Sequence, residues 1–255
     1  MSVYKEFSRD LSLSGKVAVV SGGTSGIGFA TAKMLALKGA AVVIWGRNPN
    51  IRQMAREIGG DAYGVQVDIT DTAQILSAVD DVIKMNGKID ILCNSAGIGS
   101  GKPAEDISEE EFMNVLNVNL KSAFMVAQSV GRTMIERGEG GRIINIASDA
   151  GIVAIKDHVA YSASKAGLLA VTRSLALEWG KYGITCNAIS PCVVMTPMSR
   201  AYWVGERAER HLEQIPVGRF AEMDEIAAAV AFLASDSAQM INGHNLSIDG
   251  GFTIN

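Results

Sequence analysis

Two side chains of this sequence could move a proton together: Tyr161 and Lys165, separated by Ser162-Ala163-Ser164. Residues four positions apart share one face of an α-helix, so the phenol and the ammonium would point into the same space. A neighbouring positive charge favours the phenolate and lowers the tyrosine pKa from its usual value of about 10. A tyrosine in that setting can act as a general acid or base. Taken alone, the pair is better explained by surface packing, because Tyr and Lys four residues apart occur on many helices; the rest of the chain changes that interpretation.

A second candidate for chemistry is a glycine-rich turn with the spacing G-x-x-x-G-x-G. It follows the apolar run 16–20 and precedes the helical pattern 29–38. In such a turn backbone N–H groups can approach a pyrophosphate, and the helix N-terminus adds a partial positive charge. A purely structural glycine turn is the alternative, but the flanking strand and helix favour dinucleotide binding. The predicted cofactor contacts are Gly22, Thr24, Ser25, Gly26, Ile27 and Gly28.

The end of the second predicted strand, Gly46-Arg47-Asn48, bears on which dinucleotide binds. A site for NAD usually has a carboxylate here for the ribose 2′-hydroxyl, whereas a 2′-phosphate calls for a guanidinium. We therefore predict NADP(H), held by Arg47, with NAD(H) as the alternative cofactor and a solvated loop arginine as the alternative reading. Asp68, after the third strand, is expected either near the adenine ring or as a cap of the helix that starts near Asp71.

Short apolar runs separated by helical stretches predict seven strands. The runs are 16–20, 41–45, 63–67, 89–93, 142–147, 184–189 and 245–248. This alternation predicts an α/β, single-domain, doubly wound Rossmann-type fold, with a seven-stranded mostly parallel sheet and helices on both faces. Residues 1–255 are read as one domain, with an N-terminal extension at 1–13 and a substrate-covering segment at 196–214.

Composition excludes several classes of protein. The chain has 255 residues, a hydrophobic share of 48% and a net charge of −4, without the basic excess of a nucleic-acid binder. It has neither an apolar run long enough to cross a membrane nor a secretory signal. Its three cysteines lack metal-site spacing and are odd in number, so we expect no metal and no disulfide framework, and a cytoplasmic location.

Taken together, these motifs resemble the short-chain dehydrogenase/reductase family from about Gly15 to Gly251. The matching pieces are the turn 21–28, Val67-Asp68, Asn94-Ser95-Ala96-Gly97, Asn119, Ser148, Tyr161 with Lys165, Pro191 with Thr196, and Ile248-Asp249-Gly250-Gly251. Several motifs in the family's order are far more specific than any one of them.

The resemblance implies a role for each of four residues. Tyr161 would exchange a proton with the substrate oxygen while hydride passes to or from the nicotinamide. Lys165 would hold the nicotinamide ribose hydroxyls and lower the Tyr161 pKa. Ser148 would hydrogen-bond the carbonyl oxygen as charge develops on it, and Asn119 would hold a water that relays protons from Lys165 to solvent.

The resemblance also implies further cofactor contacts. Backbone after the fourth strand would lie close to the cofactor, and Thr196 would bind the carboxamide beside the Val194 backbone. In addition to the glycine turn and Arg47, the cofactor positions are Asp68, Ile69, Asn94, Ala96, Gly97, Tyr161, Lys165, Pro191, Val194 and Thr196.

Two side chains near the expected substrate site are open to more than one reading. Cys192 stands where the family usually has glycine, so it either narrows the substrate cavity or is a harmless buried thiol. His158 either faces the substrate or is a structural histidine. From the resemblance we expect a polyol, sugar or sugar acid, with a steroid, a cyclic ketone or a 3-oxoacyl thioester as alternatives.

Two further classes of function stay open at this point. One is a non-catalytic regulator that senses NADP, which would have no need of the complete set Asn119, Ser148, Tyr161 and Lys165. The other is an epimerase or dehydratase on the same fold. The resemblance also suggests a homotetramer, paired through the helical regions 111–137 and 161–179 and through the strand region 242–251.

Overall fold

The computed structural model describes residues 11–255, so most of the predicted N-terminal extension, residues 1–10 of 1–13, lies outside the described residues. Leu13, at the end of that extension, is buried in a core cluster with Ala40 and Leu35. Its backbone N–H also donates to the Lys38 carbonyl, at 2.8 Å. Leu13 is therefore built into the domain.

Seven strands form one sheet, in the order β3-β2-β1-β4-β5-β6-β7. They are β1 (Val17–Ser21), β2 (Ala41–Gly46), β3 (Tyr63–Gln66), β4 (Ile91–Asn94), β5 (Gly141–Ile146), β6 (Ile184–Pro191) and β7 (Asn245–Ile248). Every neighbouring pair of these strands is parallel. The prediction of a seven-stranded, doubly wound α/β fold is confirmed, and each predicted strand overlaps an observed one.

Nine α-helices are described within residues 11–255. They are α1 (Gly26–Leu37), α2 (Ile51–Ile58), α3 (Thr72–Asn86), α4 (Glu109–Leu116), α5 (Ser122–Arg137), α6 (Val159–Trp179), α7 (Pro197–Tyr202), α8 (Gly205–Leu212) and α9 (Met223–Ala234). None of the helices in the described part of the chain is long and apolar enough to cross a membrane.

Two apolar layers, one on each face of the sheet, form the core. Ala18 and Val20 of β1 belong to the layer covered by α1, α2 and α9. Val17 and Val19 alternate with them and belong to the layer covered by α3, α5 and α6. Because side chains alternate along a strand, a continuous apolar run suits a strand that is buried on both faces.

The strand order of the sheet reverses between β3 and β4. β2 and β3 add to one side of β1, and β4 then pairs with the other side. Ligands of open α/β sheets bind at such a switch point, beyond the carboxyl ends of the strands. Ser21, Asn94 and Ile146 all end their strands at this edge.

The helical region predicted at 111–137 is not one regular helix. A π-helical turn, Asn117–Lys121, joins α4 to α5. Helix α4 begins with a capping box in which Ser108 and Glu111 satisfy each other's backbone N–H groups. π-Helical turns inside helices are rare and frequently lie at functional sites, and this one contains Asn119.

Gly131 of α5 offers a test of the packing between α5 and α6. A Cβ atom at this position would lie 2.6 Å from Cζ3 and 2.7 Å from Cη2 of Trp179. At an exposed position of a helix, the change Gly→Ala stabilises the folded protein by about 1 kcal/mol. In a well-packed interior, an added methyl group instead destabilises the folded protein by about 1–3 kcal/mol. We expect Gly131→Ala to lower the free energy of unfolding by about 1 kcal/mol in urea denaturation.

The control for this variant removes the obstructing ring. In a Trp179→Leu background the same Gly131→Ala change should be neutral or stabilising. An equal loss of stability in both backgrounds would show that Trp179 does not cause the effect.

Candidate active site

Tyr161 and Lys165 lie in the first two turns of α6, close to the carboxyl edge of the sheet. Lys165 is only 5% exposed. Its Nζ donates a hydrogen bond to the carbonyl oxygen of Ile146, the last residue of β5, at 2.7 Å. The same Nζ lies 5.5 Å from the centroid of the Tyr161 ring. The two side chains therefore share the space that the sequence spacing predicts.

Burial shifts both pKa values away from the charged forms. It lowers the pKa of Lys165 to about 8. Burial is also the main cause that raises the pKa of Tyr161; the charge of Asp149 adds to this, and a hydrogen bond with Ser148 opposes it. The prediction of a lowered Tyr161 pKa is wrong for this structure, because removing water from the phenolate outweighs the charge-stabilising contacts.

Ser148 lies just beyond β5 and caps the short 3₁₀ turn Asp149–Gly151. Its hydroxyl donates to Asp149 Oδ1 at 2.8 Å and accepts from the Ala150 N–H at 3.2 Å. Ser148 also lies close enough to Tyr161 for a side-chain hydrogen bond, which acts to lower the Tyr161 pKa. The structure thus places Ser148 beside the candidate proton donor.

Asn119 is buried and ties the loop after β4 to α6. Its Oδ1 accepts from the Ile98 N–H at 2.8 Å, and its Nδ2 donates to the Ile98 carbonyl at 2.9 Å. Nδ2 also donates to Ser164 Oγ at 3.1 Å. Ser164 in turn donates to the Tyr161 carbonyl at 2.6 Å. These contacts give Asn119 a positioning role, and the predicted proton relay stays a prediction.

Gly97 allows the loop after β4 to approach these side chains. A Cβ atom on Gly97 would lie 3.3 Å from Asn119 Oδ1 and 3.6 Å from Lys165 Nζ. The neighbouring Asn94 is buried, and its Nδ2 donates to the carbonyl of Ala123 at 3.1 Å and to Asn145 Oδ1 at 2.9 Å. Because the Asn94 side chain has these protein partners, we expect a cofactor to meet this loop through its backbone.

The glycine turn has the shape that a dinucleotide needs. Gly22 has φ 71°, and a Cβ atom there would lie 2.7 Å from the backbone of Ala96. A Cβ atom on Gly28 would collide with the Gly22 carbonyl oxygen, and one on Gly26 would lie 3.4 Å from Thr196 Cγ2. Backbone of this turn therefore lies against two other predicted cofactor segments.

The start of α1 is suited to an anion. Its N-cap, Ser25, makes no side-chain capping bond, and the first turn holds no acidic residue. The N–H groups of this turn and the helix dipole are therefore available to a phosphate. Thr24 and Ile27 flank this position, and Ile27 packs partly against the core. The residues present fit the phosphates of a nicotinamide dinucleotide.

At the tip of β2, Gly46 is covered by Thr24. A Cβ atom on Gly46 would lie 2.9 Å from Thr24 Cγ2, so any side chain here needs Thr24 to move. Arg47 is exposed, and its carbonyl accepts from Gln66 Nε2 at 3.1 Å. The tip thus presents a cation and no carboxylate of its own.

Asp68 does not cap α3. Its Oδ1 accepts from the N–H and the hydroxyl of Thr70, at 2.9 and 2.8 Å. These hydrogen bonds, and to a lesser degree the charge of Arg47, lower the pKa of Asp68. The cap of α3 is Asp71, whose side chain accepts from Ala73 and Gln74, so the capping alternative for Asp68 is wrong.

The remaining predicted cofactor residues line the same edge. Ile69 is buried. Pro191 ends β6, and Val194 forms a parallel bridge with Ala221. Thr196 caps α7 through a capping box with Ser199. Thr196 and the glycine turn therefore face each other across the switch point.

Sequence reasoning missed Asp149, and it left Cys192, His158 and His211 without an assigned role. Asp149 is 7% exposed, and its Oδ1 accepts the Ala150 N–H at 2.7 Å in addition to the Ser148 hydroxyl. Cys192 Sγ lies 3.5 Å from His211 Nε2 and is hydrogen-bonded to Asp149. The position next to Ser148 was the only sequence signal for Asp149, whereas His211 belongs to the predicted substrate-covering segment 196–214.

The histidines differ in their surroundings. His158 Nδ1 lies 2.6 Å from the Lys156 carbonyl oxygen, and its ring meets the Tyr161 ring edge-on at 6.2 Å. Burial lowers the pKa of His211, which favours the neutral ring although the charge of Asp149 opposes the shift.

Within residues 11–255, no group of three or more His, Cys, Asp or Glu side chains is arranged to hold a metal ion.

Comparison with known proteins places the chain among nicotinamide-dependent enzymes. A family model described as enoyl-(acyl carrier protein) reductase matches residues 22–253. An NAD-dependent glycerol dehydrogenase of Listeria innocua is 44% identical over 98% of this chain and 99% of its own length. A D-threitol dehydrogenase of Mycolicibacterium smegmatis is 47% identical over 96% of this chain and 95% of its own.

A solved structure has the same fold over nearly the whole chain. A gluconate 5-dehydrogenase from Burkholderia cenocepacia, in complex with NADP and tartrate, superposes with a TM-score of 0.92 and 34% identity. The match covers 96% of this chain and 98% of that one. The fold is therefore shared with this gluconate 5-dehydrogenase over nearly the whole chain.

The buried ammonium of Lys165 has a measurable cost to stability. Its pKa falls from 10.5 to about 8 on folding, so below pH 8 the folded state carries a buried charge that the unfolded state solvates. Stability from this group rises as pH increases from about 8 to 10.5. We expect Lys165→Met to raise the free energy of unfolding at pH 7 by up to ~3 kcal/mol.

Denaturation of both proteins at pH 7 and at pH 10 checks this prediction. The gain of Lys165→Met over wild type should shrink at pH 10, where the wild-type amine is neutral in the folded state. A variant that is less stable at both pH values would mean that the hydrogen bond to Ile146 outweighs the burial of the charge.

Proposed function

The chain belongs to the short-chain dehydrogenase/reductase family, and from this we propose that it is an NAD(P)-dependent oxidoreductase. It transfers hydride reversibly between the nicotinamide and the secondary alcohol or carbonyl of a polyol, sugar or sugar acid. The observation that carries the proposal is the meeting of Tyr161, Lys165, Ser148 and Asn119 at the carboxyl edge of the sheet. The complete set supports an enzyme over a regulator that only senses the cofactor.

Four protein groups handle the proton and the charge on the substrate oxygen. The nicotinamide, when bound, accepts or supplies the hydride. Tyr161 takes the hydroxyl proton during oxidation and returns it during reduction. Ser148 hydrogen-bonds the same oxygen when its hydroxyl turns from Asp149 to the substrate. Lys165 holds the nicotinamide ribose hydroxyls, and Asn119 fixes the loop at Ile98 against α6.

The raised pKa of Tyr161 sets the direction of the pH dependence. Oxidation needs the phenolate as a base, so its rate rises with pH. Reduction needs the phenol as an acid, which is the form that burial favours at neutral pH.

For the cofactor we propose a preference for NADP. Arg47 supplies a guanidinium at the tip of β2, and Gly46 supplies no carboxylate for a 2′-hydroxyl. The gluconate 5-dehydrogenase with the same fold binds NADP, whereas the Listeria innocua relative is NAD-dependent. The proposal therefore depends on Arg47.

We also propose a cytoplasmic homotetramer. The three cysteines are free thiols, as in a reducing compartment. Leu177 of α6 is 86% exposed and Met113 of α4 is 53% exposed. Both lie on the helical regions expected to pair, and apolar side chains there would be covered by a second copy.

The change Tyr161→Phe tests the catalytic proposal. It removes the hydroxyl and keeps the ring, so turnover should fall by at least ~10²-fold while NADPH binding changes little. Wild-type oxidation of D-threitol at 340 nm should rise with pH, and the residual rate of the variant should not. Near-full activity of Tyr161→Phe would exclude this mechanism.

The change Arg47→Ala tests the cofactor proposal. Loss of a guanidinium–phosphate contact should weaken NADPH about 10–100-fold and NADH less than about twofold, as measured by fluorescence titration. Arg56→Ala, an exposed arginine in the last turn of α2, is the matched control and should change neither affinity. Equal affinities for both cofactors before and after the Arg47 change would contradict a preference for NADP.

A further inference from the structure

Asp149 places a carboxylate directly beside the reacting groups. It follows Ser148 in the chain, is 7% exposed, and accepts the Ser148 hydroxyl at 2.8 Å. Its charge reaches three neighbouring groups, since it helps to raise the pKa values of Tyr161 and Cys192 and opposes the lowering of the His211 pKa. A buried carboxylate therefore lies directly beside Ser148.

The donors around Asp149 do not use all of its acceptor capacity. A carboxylate offers about four lone-pair positions. Oδ1 accepts from the Ser148 hydroxyl and the Ala150 N–H, and the Cys192 thiol also hydrogen-bonds the carboxylate. Acceptor capacity is left for a hydroxyl of the substrate.

Beside Asp149, the side chains of Cys192, His211, Trp203 and Phe252 form an uncharged wall. Cys192 Sγ contacts His211 Nε2 at 3.5 Å. The His211 ring lies 4.7 Å from the Trp203 ring and 5.0 Å from the Phe252 ring, between centroids. A thiol whose pKa is raised by burial and a ring whose pKa is lowered by burial are both neutral at pH 7. This wall offers no cation to a substrate carboxylate.

Two exposed arginines lie close to His211. Arg207 and Arg210 line a cavity of about 380 Å³ together with His211 and Trp203. Both arginines are exposed, and Arg210 is paired with Glu206. Screening by solvent keeps such charges weak compared with a buried carboxylate.

We propose that Asp149 is the specificity-determining residue that selects neutral polyhydroxylated substrates over substrates that carry a carboxylate. The proposal rests on the proposed function, because it takes the reacting oxygen to lie at Ser148 and Tyr161. A hydroxyl on the carbon next to the reacting one donates to Asp149. A carboxylate in that place meets a like charge in a poorly solvated site and is rejected.

The test compares kcat/KM for D-threitol and D-gluconate with the same cofactor in wild type and in Asp149→Asn. The amide oxygen of the variant can still accept from Ser148 and Ala150, so the turn is kept while the charge is lost. We expect the wild type to prefer D-threitol, and the variant to lower the threitol-to-gluconate ratio at least about tenfold. Asp80→Asn, an exposed acid on α3, is the matched control and should leave the ratio unchanged.

Two results would overturn the inference. One is a wild type that prefers D-gluconate. The other is an equal loss for both substrates in Asp149→Asn, which would mean that Asp149 only supports Ser148.

Failure of the proposed function gives a different result: no turnover of any alcohol with either cofactor. In that case calorimetric titration of the cofactor-saturated protein still tests the inference. Tighter binding of D-threitol than of D-gluconate, lost in Asp149→Asn, would support it, and tighter binding of D-gluconate would contradict it.

Discussion

The hydrogen bond from buried Lys165 to the Ile146 carbonyl is the constraint around which the site is built. At 2.7 Å it joins α6 to the end of β5, so the helix that carries Tyr161 cannot shift along the sheet without leaving an unpaired buried ammonium. Burying an unpaired ammonium lowers the stability of the folded state by several kcal/mol. The contacts of Asn119 with Ile98 and Ser164 secure the other side of the same helix. The fixed positions of Tyr161 and Lys165 therefore follow from polar groups that have to be satisfied in the protein interior.

The sequence was sufficient to predict the sheet and the edge at which the site lies. Apolar runs such as Val17–Val20 indicate strands buried on both faces, and the order of strand and helix then leaves few topologies. Because parallel strands end at one edge, residues near the ends of different strands, such as Asn94 and Asn145, come together there without any signal of long-range contact. The hydrophobic pattern and the direction of the chain were enough to predict the sheet and this edge.

Other features could not be read from local pattern because they depend on burial and on distant segments. The spacing of Tyr161 and Lys165 shows their proximity but not the loss of water around them, and burial reverses the expected direction of the Tyr161 pKa. His211 comes to Cys192 from a segment 19 residues away. The π-helical turn at Asn119 has no recognised sequence signature.

The tip of β2 shows how packing can restrict cofactor choice. An acidic residue at position 46 would start from a Cβ atom 2.9 Å from the Thr24 methyl, so Thr24 of the phosphate-binding turn and a carboxylate at the tip compete for one space. With glycine at 46, Thr24 stays against the strand, and under the proposed function the next residue, Arg47, would discriminate between the two dinucleotides. Its guanidinium is exposed, but Asp68 lies close enough for the Arg47 charge to lower the Asp68 pKa. A 2′-phosphate bound as proposed would share Arg47 with the carboxylate of Asp68, which would limit how strongly one arginine can separate NADP from NAD.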